Sequence, residues 1–418
     1  MSLWRNRDFA VLWAGQAVST LGAQISGTAL PLLVLTMTGS PADAGLVGAA
    51  GTLPFLIGHL PAGTLVDRWN RHRILLTSEL TAGLALATIP VAMWTGHLTV
   101  THLAAVAFVQ GLCFVFFGVA ERAALPRIVP AAQLPTAIAQ NEARSRGVAM
   151  AGPPLGGLLF GLNRAVPFVA DAITYLIAAA ALLLVRRDLQ APRTTAPEPL
   201  IRATVTGLRW AWRHPLVRAT VGLIALSNLV FQVLVLTLVV NAQRHGASPA
   251  AIGTMLGIYS AGGLLGALAA TRLHRHLSPR LTIIGVNWIW AALLPLFLLT
   301  TAPIPTGLLG AACAFVGPIW NVVILTYAAV LVPGELLGRV TSAAMTLSWG
   351  VLPLGSLSAG YLLTETGPAG TLGALAAVML ATALAATLSP AIRNAPPFTP
   401  RTDAATTAAA ASPSDPRR

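Results

Sequence analysis

Apolar residues along this chain fall into long runs separated by short polar or charged segments. A helix rises ~1.5 Å per residue, so about 20 apolar residues cross a hydrocarbon layer of ~30 Å. By that measure twelve runs predict membrane-spanning helices, at 9–37, 44–66, 74–95, 99–120, 137–161, 165–185, 216–241, 249–270, 281–300, 306–331, 340–363 and 369–389. Glycine and proline recur inside them, which membrane helices tolerate and close helix packing exploits. Ala42-Asp43-Ala44 looks like a signal-cleavage site, but the apolar run before it far exceeds the ~7–15 residues of a signal core. The first run is therefore expected to be a retained helix.

The pattern breaks in the middle of the chain. Arg186, Arg187, Pro192, Arg193, Pro197 and Pro199 interrupt it, and a basic, tryptophan-rich stretch follows with Arg202, Arg209, Trp210, Trp212 and Arg213. Such a stretch suits a helix lying along a membrane surface. The halves on either side carry matching positions. Gly63 pairs with Gly266 and Val129-Pro130 with Val332-Pro333, each at an offset of 203, and Pro154-Leu155-Gly156 pairs with Pro353-Leu354-Gly355 at 199. A repeat of that length predicts duplicated bundles with a substrate site between them. The predicted fold is all-α integral membrane, with 12 transmembrane helices in two pseudo-symmetric six-helix bundles. Residues 1–187 form the first bundle, 188–215 a cytoplasmic linker with an interfacial helix, 216–390 the second bundle, and 391–418 a disordered cytoplasmic tail.

Composition narrows the function. The chain is 55% hydrophobic and 9% charged, against roughly 25% charged in soluble domains, too few charges to build a water-facing surface. A net charge of +13 would suit nucleic acid, yet the 26 basic residues are all Arg and are placed by topology. One set of alternate loops receives Arg5, Arg7, Arg68, Arg71, Arg73, Arg122, Arg127, the linker, Arg272, Arg275, Arg280, Arg339 and the tail; the other receives Arg164 and Arg244. Positive residues mark the cytoplasmic side. A multi-pass protein of the cell membrane with both termini cytoplasmic follows, and an even number of spans agrees with it. No nucleic-acid partner is expected. Cys113 and Cys313 lie in apolar runs with no second Cys or His at ligand spacing, which predicts small buried hydrophobes and no metal or other cofactor.

The densest charge patch joins the second and third runs: Gly63-Thr-Leu65-Val-Asp67-Arg68-Trp-Asn70-Arg71-His72-Arg73. It resembles the loop signature of the major facilitator superfamily of secondary transporters, Gly-x-Leu-Ala-Asp-Arg-x-Gly-Arg-Arg/Lys. Gly63, Leu65, Asp67, Arg68 and Arg71 match, and Asn70 replaces the second glycine. Asn tolerates left-handed backbone better than most residues, so the turn is expected to survive. An acid at a helix end can hold a neighbouring helix N-terminus or a basic side chain and so latch one membrane face. The plainer reading is a solvated loop obeying charge bias. The fifth run contains Gly152-Pro153-Pro154-Leu155-Gly156-Gly157, similar to the Gly-Pro-x-x-Gly-Gly motif of exporters in this superfamily. Its glycines let a partner helix approach and Pro153 bends the axis; generic close packing is the plainer alternative. Leu125-Pro126-Arg127-Ile128-Val129-Pro130 and Phe168-Val169-Ala170-Asp171-Ala172-Ile173-Thr174-Tyr175 resemble the enterobactin-exporter and macrolide-efflux branch. The resemblance covers about residues 1–390 and implies alternating access.

Proton-coupled drug exporters of this superfamily often carry Arg-x-x-Gln-Gly in the fourth helix. Here Gln110-Gly111 is present but Ala107 stands at the Arg position, so coupling through that arginine is excluded. The remaining candidates for proton coupling are Glu79, Glu142, Arg146 and Asp171. A charge at membrane depth costs on the order of 3 kcal/mol and is usually paired or functional; Glu142 and Arg146 share a face at i, i+4 and can neutralise each other. Gln16, Thr20, Gln24 and Thr28 repeat every four residues as one interior-facing stripe. Asn228 with Gln232, Gln110 with Phe114, and Trp320 with Asn321 do the same in the seventh, fourth and tenth runs. By resemblance helices 1, 4, 7 and 10 line the cavity, so Gln16, Gln24, Gln110, Phe114, Asn228, Gln232, Trp320 and Asn321 are candidate substrate contacts; interhelical hydrogen bonding is the plainer role for each. An amide- and aromatic-lined cavity favours small amphipathic substrates such as drugs, macrolides or siderophores.

The expected function is secondary export by a monomer in the bilayer, with proton antiport. Import by proton symport is the alternative within the fold, and the fifth-run motif argues against it. A channel is a further alternative. A membrane-embedded transferase would need clustered carboxylates holding a divalent metal, and no Asp-x-x-x-Asp exists. Gly-x4-Gly-Lys-Ser/Thr, the mark of an ATP-driven pump, is absent too. No enzymatic activity is expected.

Overall fold

The computed structural model describes residues 3–190, 200–273, 278–332 and 334–394, and these are helical almost throughout. The tail expected to be disordered from 391 lies outside the described residues beyond 394. The first half contains α1 (Arg7–Thr38), α2 (Pro41–Ile57), α3 (His59–Arg68), α4 (Arg71–Trp94), α5 (Val100–Ile128), α6 (Leu134–Leu162) and α7 (Val166–Leu183). After α8 (Leu200–Arg213) come α9 (Pro215–Arg244), α10 (Pro249–Leu273) and α11 (Pro279–Leu293), the last extended by a 3-10 turn. The chain closes with α12 (Pro303–Leu331), α13 (Gly334–Gly350), α14 (Leu352–Glu365), α15 (Gly367–Leu388) and the short α16 (Pro390–Arg393).

Helix ends follow local chemistry. Asn6, Ser40, Asn70, Thr99 and Ser278 cap α1, α2, α4, α5 and α11, their side-chain oxygens accepting a backbone N–H from the first turn, as these residue types do at helix starts. Gly39 ends α1 at φ 68°, a left-handed conformation that glycine adopts without a Cβ penalty. Nine of the described helical passes are long and apolar enough to cross a membrane, and the pair α2–α3, bent by 57° near Gly58, makes a tenth. The remaining expected passes are α6, whose apolar character is diluted by Glu142, Arg144, Arg146 and its Gly-Pro run, and the pair α13–α14, interrupted at Val351. The fourth pass corrects the sequence boundary. It was expected to end near 120, but α5 continues to Ile128 because Ala124, Leu125 and Ile128 are buried in the first bundle's core, which holds the helix past the end of its apolar run.

The repeat read from the sequence has a structural counterpart. Gly156 of α6 packs on α1, where an added Cβ would lie 2.6 Å from the Ile25 carbonyl oxygen. Gly355 of α14 packs on α9, with an added Cβ 2.9 Å from Gln232 Cβ. The fifth pass of each half thus leans on the first pass of its own half through equivalent residues. Between the halves, α2 meets α14 and α6 meets α10. An added Cβ at Gly45 would come within 2.6 Å of the Ser356 carbonyl and 2.8 Å of Gly360 Cα. One at Gly157 would stand against the Pro249 carbonyl and 3.0 Å from Gly253 Cα. These sites fall where α2 and α10 begin and α6 and α14 end, which is the face that carries few arginines. Among the described glycines, every backbone contact between the halves lies in that arginine-poor half of the molecule.

Candidate functional site

The loop signature sits at the arginine-rich face, where α3 ends and α4 begins. Asn70 is not left-handed. Its φ of −66° and ψ of 115° are extended, and its side chain accepts the Arg73 N–H at 3.1 Å, so the residue in the glycine position acts as a helix cap. Arg71 is turned inward. Its Nη1 donates to the carbonyls of Ala123 at 2.9 Å and Leu189 at 3.2 Å, and its backbone N–H donates to Gln190 Oε1 at 3.2 Å. This clamps the start of α4 to the last turns of α5 and to the segment after α7. Asn6 and Arg187 both donate to the Ile128 carbonyl, at 2.8 and 3.1 Å, and extend the same staple. Asp67, by contrast, is exposed, with its carboxylate 3.8 Å from Arg71 Nη2.

The Gly-Pro motif of α6 occupies a three-helix junction. Gly152 lies against Gln24 Cβ and Gly156 against Ile25 and Thr28, all on α1, while Pro153, Pro154 and Gly157 face Gly253 and Gly257 of α10. Backbone rather than side chains makes most of this contact. Pro153 lies inside α6 and has no N–H to donate, so the Ala149 carbonyl loses its bond within the helix and the axis is free to bend at the junction.

Inside the first bundle the structure joins polar groups that the sequence lists separately. Glu79 is buried, ~12 Å along α4 from Arg71. Gln16 Nε2 donates to its Oε1 at 2.8 Å and Ser19 Oγ to its Oε2 at 2.9 Å. Asp171 of α7 is fully buried and accepts from Ser26 Oγ and, at 3.1 Å, from Thr174 Oγ1. Gly22 makes this possible, since an added Cβ there would collide with Thr174 and Asp171. Tyr175 donates its hydroxyl to Gln110 Oε1 at 2.7 Å. Residues 16, 19, 22 and 26 therefore form the face of α1 turned toward α4 and α7.

That placement corrects the expected polar stripe. A four-residue spacing gains about 40° per step on a helix of 3.6 residues per turn, so the stripe spirals. Gln16 points at α4, whereas Gln24 and Thr28 meet α6.

Two ion pairs lie on α6. Arg146 Nε and Glu142 Oε1 are 2.8 Å apart, with the Glu142 side chain 60% exposed. The second pair was not legible as a candidate: Arg144 Nη2 meets Glu121 Oε1 of α5 at 3.1 Å, with side chains 8% and 17% exposed. Reading α5 as ending at 120 assigned Glu121 to a loop and hid the pair. Arg144 Nε and Nη1 are buried without a partner, so the guanidinium depends on this one carboxylate. Breaking a buried pair by removing one partner costs about 3–5 kcal/mol. Glu121→Ala is therefore expected to lower the thermal unfolding temperature of the purified protein clearly, and Glu142→Ala hardly at all; equal effects would mean that Arg144 finds another acceptor.

The second bundle holds a cavity of about 170 Å³ between α9, α10, α11 and α12. Asn228, Trp320 and Asn321 line it, as does Trp290, which stands edge-on to Phe231 at 4.9 Å and tilted to Trp320 at 6.1 Å. Ser227, Tyr259 and Cys313 are also among its lining residues and carry no signal in the sequence pattern. The apolar run gave no signal for Trp290 because a tryptophan facing lipid and one facing a cavity read alike. Gln232 is placed elsewhere, donating to Ser356 Oγ of α14 at 2.9 Å, and Asn228 donates to the Ser348 carbonyl at 2.8 Å. Phe114 is exposed and joins Trp349 around Phe55, at 5.6 and 5.7 Å from that ring, which links the two bundles through aromatic edges.

A model of the transmembrane secretion effector family matches residues 1–402. The chain is 32% identical over 411 residues to the multidrug efflux pump Tap of Mycolicibacterium fortuitum, covering 92% of this chain and 95% of Tap. It is 25% identical over 192 residues to macrolide efflux protein A of Streptococcus pyogenes, covering 46% and 47% of the two chains. Among solved structures it resembles a bacterial homologue of the human lysosomal transporter Spinster in an inward-facing, unoccupied conformation, with a TM-score of 0.67, 14% identity, and 94% and 96% coverage. It also resembles the nucleoside transporter NupG, with a TM-score of 0.75, 11% identity, and 90% and 99% coverage. At these identities the two likenesses show a shared fold.

Proposed function

The chain belongs to the transmembrane secretion effector family, and on that footing we propose that it exports small amphipathic molecules, drug-like compounds, macrolides or siderophores, in exchange for protons. The observation that carries the reading is the glycine junction at the arginine-poor face, where Gly157 and Gly253 bring α6 and α10 to backbone contact. Arginine bias makes that face extracellular and puts both termini in the cytoplasm. A seal made of bare backbone can form and separate without unpacking large side chains, as a transporter that rocks between two states requires. The relatives named for efflux support export over import. Multi-pass insertion as a monomer needs no further partner than lipid, substrate and protons.

Substrate is expected to enter from the cytoplasmic side, where Phe114 is exposed. Glu79 and Asp171 are the acids placed to carry a proton, since each is buried in the first bundle away from the aromatic cavity of the second. Glu142 is the weaker candidate because it is exposed and already paired. The test is a growth-inhibition panel in an efflux-deficient host, with transport into inside-out vesicles measured before and after an uncoupler. Protection against amphipathic inhibitors and collapse by the uncoupler are the expected results. Greater sensitivity of the expressing host would instead mark an importer.

Asp67, exposed in this state, is assigned to latch the cytoplasmic face when the bundles rock the other way. Asp67→Asn is expected to slow efflux while leaving expression and membrane insertion unchanged. Wild-type rates in that variant would remove the latch.

A further inference from the structure

A second cavity, of about 390 Å³, opens at the arginine-rich face where the chain begins. Three pieces of backbone frame it: the entry to α1, the connection between α5 and α6 at Pro130 and Gln133, and the segment after α7 at Arg187. The wall at the chain's start is anchored. Leu3 and Phe9 are buried in the first bundle's core, and a 3-10 turn, Leu3–Arg5, leads into α1. Asn6 caps that helix and donates to the Ile128 carbonyl. With those residues turned inward, Arg5 and Arg7 are exposed and stand on the cavity wall.

Charge in this cavity is unbalanced. Asp8 is the one acid among its lining residues, and its carboxylate is taken up by the segment after α7. It accepts the Arg186 N–H at 3.3 Å and lies 4.0 Å from Arg187 Nε. Among the described residues Arg5 and Arg7 have no carboxylate partner. Topology alone places arginines on this face, but two unpaired guanidinium groups on the wall of one cavity are a different arrangement. Their fork of N–H donors matches the oxygens of a phosphate. Trp4 points to the source of that phosphate. It is 47% exposed and braced by the rings of Phe9 and Trp13, at 5.8 and 5.1 Å, and tryptophans at the rim of a membrane protein sit at headgroup level. Size agrees. An inorganic phosphate, about the volume of three waters at ~30 Å³ each, fills only a fraction of the cavity, whereas a glycerol-phosphate headgroup uses more of it.

We propose that this cavity holds the phosphate of an anionic phospholipid headgroup, with Arg5 and Arg7 pairing its oxygens and Trp4 seated in the same leaflet. The site is independent of the export reading and uses the proposed orientation only to name that leaflet as cytoplasmic. A soluble phosphate offers the same oxyanion, so the test separates the two sources. Lipid retention is measured by native mass spectrometry on the detergent-purified full chain, titrated with phosphatidylglycerol or phosphatidylcholine, with and without excess inorganic phosphate. One basic residue near an anionic membrane surface is worth about fivefold in affinity. Phosphatidylglycerol is therefore expected to bind about 25-fold more tightly than phosphatidylcholine, two arginines' worth, and inorganic phosphate is expected not to displace it. Arg5→Gln combined with Arg7→Gln is expected to erase that preference and leave phosphatidylcholine unchanged. Arg122→Gln combined with Arg127→Gln removes the same charge from exposed positions outside the cavity and is expected to keep it. Equal affinities for the two lipids in the wild type, equal losses in the two double variants, or no loss in the Arg5 and Arg7 variant would each overturn the site. Complete displacement by inorganic phosphate would overturn the lipid assignment in favour of a soluble phosphate. Should the double variant fail to insert, Arg5→Gln and Arg7→Gln singly, each expected to lose about fivefold, decide in its place.

Discussion

Replacing Gly157 with alanine is expected to cut transport by about 10- to 100-fold, while Gly161→Ala, four residues further along α6, leaves it unchanged. The new methyl at 157 would meet the Pro249 carbonyl and Gly253 Cα, both backbone, whereas at 161 it would meet nothing within 4 Å. Backbone cannot rotate out of the way as a side chain can. Overpacking of this kind costs about 1–3 kcal/mol, and here the cost falls on one conformation only, the one in which α6 and α10 touch. A penalty confined to one of two states shifts their balance by the corresponding factor, so the carrier is held open at the arginine-poor face and the cycle stalls. Substrate efflux measures the loss. A spin-label distance between α6 and α10 measures its cause, with a longer mean expected in Gly157→Ala. Matching thermal stability in the two alanine variants would show that the effect is on the cycle rather than on folding. Wild-type efflux by Gly157→Ala would mean that the junction is ordinary packing.

The passes themselves were readable because lipid imposes a length and an apolar composition that few other environments require. The duplication was readable through single residues, since Gly156 and Gly355 pack against α1 and α9 in the same way. What the sequence hid is rotational. Gln16 and Gln24 look alike on a four-residue count, yet one holds Glu79 and the other meets Gly152, because eight residues carry the face round by about 80°. It also hid partners between helices. Nothing near Asp171 in the chain announces Ser26, 145 positions away, although Gly22 beside it is a trace of the close approach. Glu121 was missed for a different reason: hydropathy ends a span where charge begins, while the helix continues as long as its next turns find a core.

Glu79→Gln is expected to separate exchange from accumulation. In the wild type both donors around this residue, the Gln16 amide and the Ser19 hydroxyl, point at carboxylate oxygens, and they offset part of the cost of holding an acid at membrane depth. A glutamine of the same shape keeps the arrangement: its Oε1 accepts from Gln16, and its amide donates to Ser19, whose hydroxyl can turn to accept. Packing and substrate access then stay intact, but the side chain no longer takes up or releases a proton. Exchange of labelled for unlabelled substrate across vesicles, which needs no net proton movement, is expected to persist near the wild-type rate. Accumulation driven by an imposed pH gradient is expected to fall to the level seen with uncoupler. Asp171→Asn is the necessary companion, since among the described residues Asp171 is the other buried acid and its donors, Ser26 and Thr174, each bond one carboxylate oxygen. A loss of both exchange and accumulation in Glu79→Gln would assign Glu79 to structure. Full gradient-driven accumulation in Glu79→Gln, Asp171→Asn and Glu142→Gln alike would show that protons do not pass through these carboxyls, and the driving ion would have to be sought elsewhere.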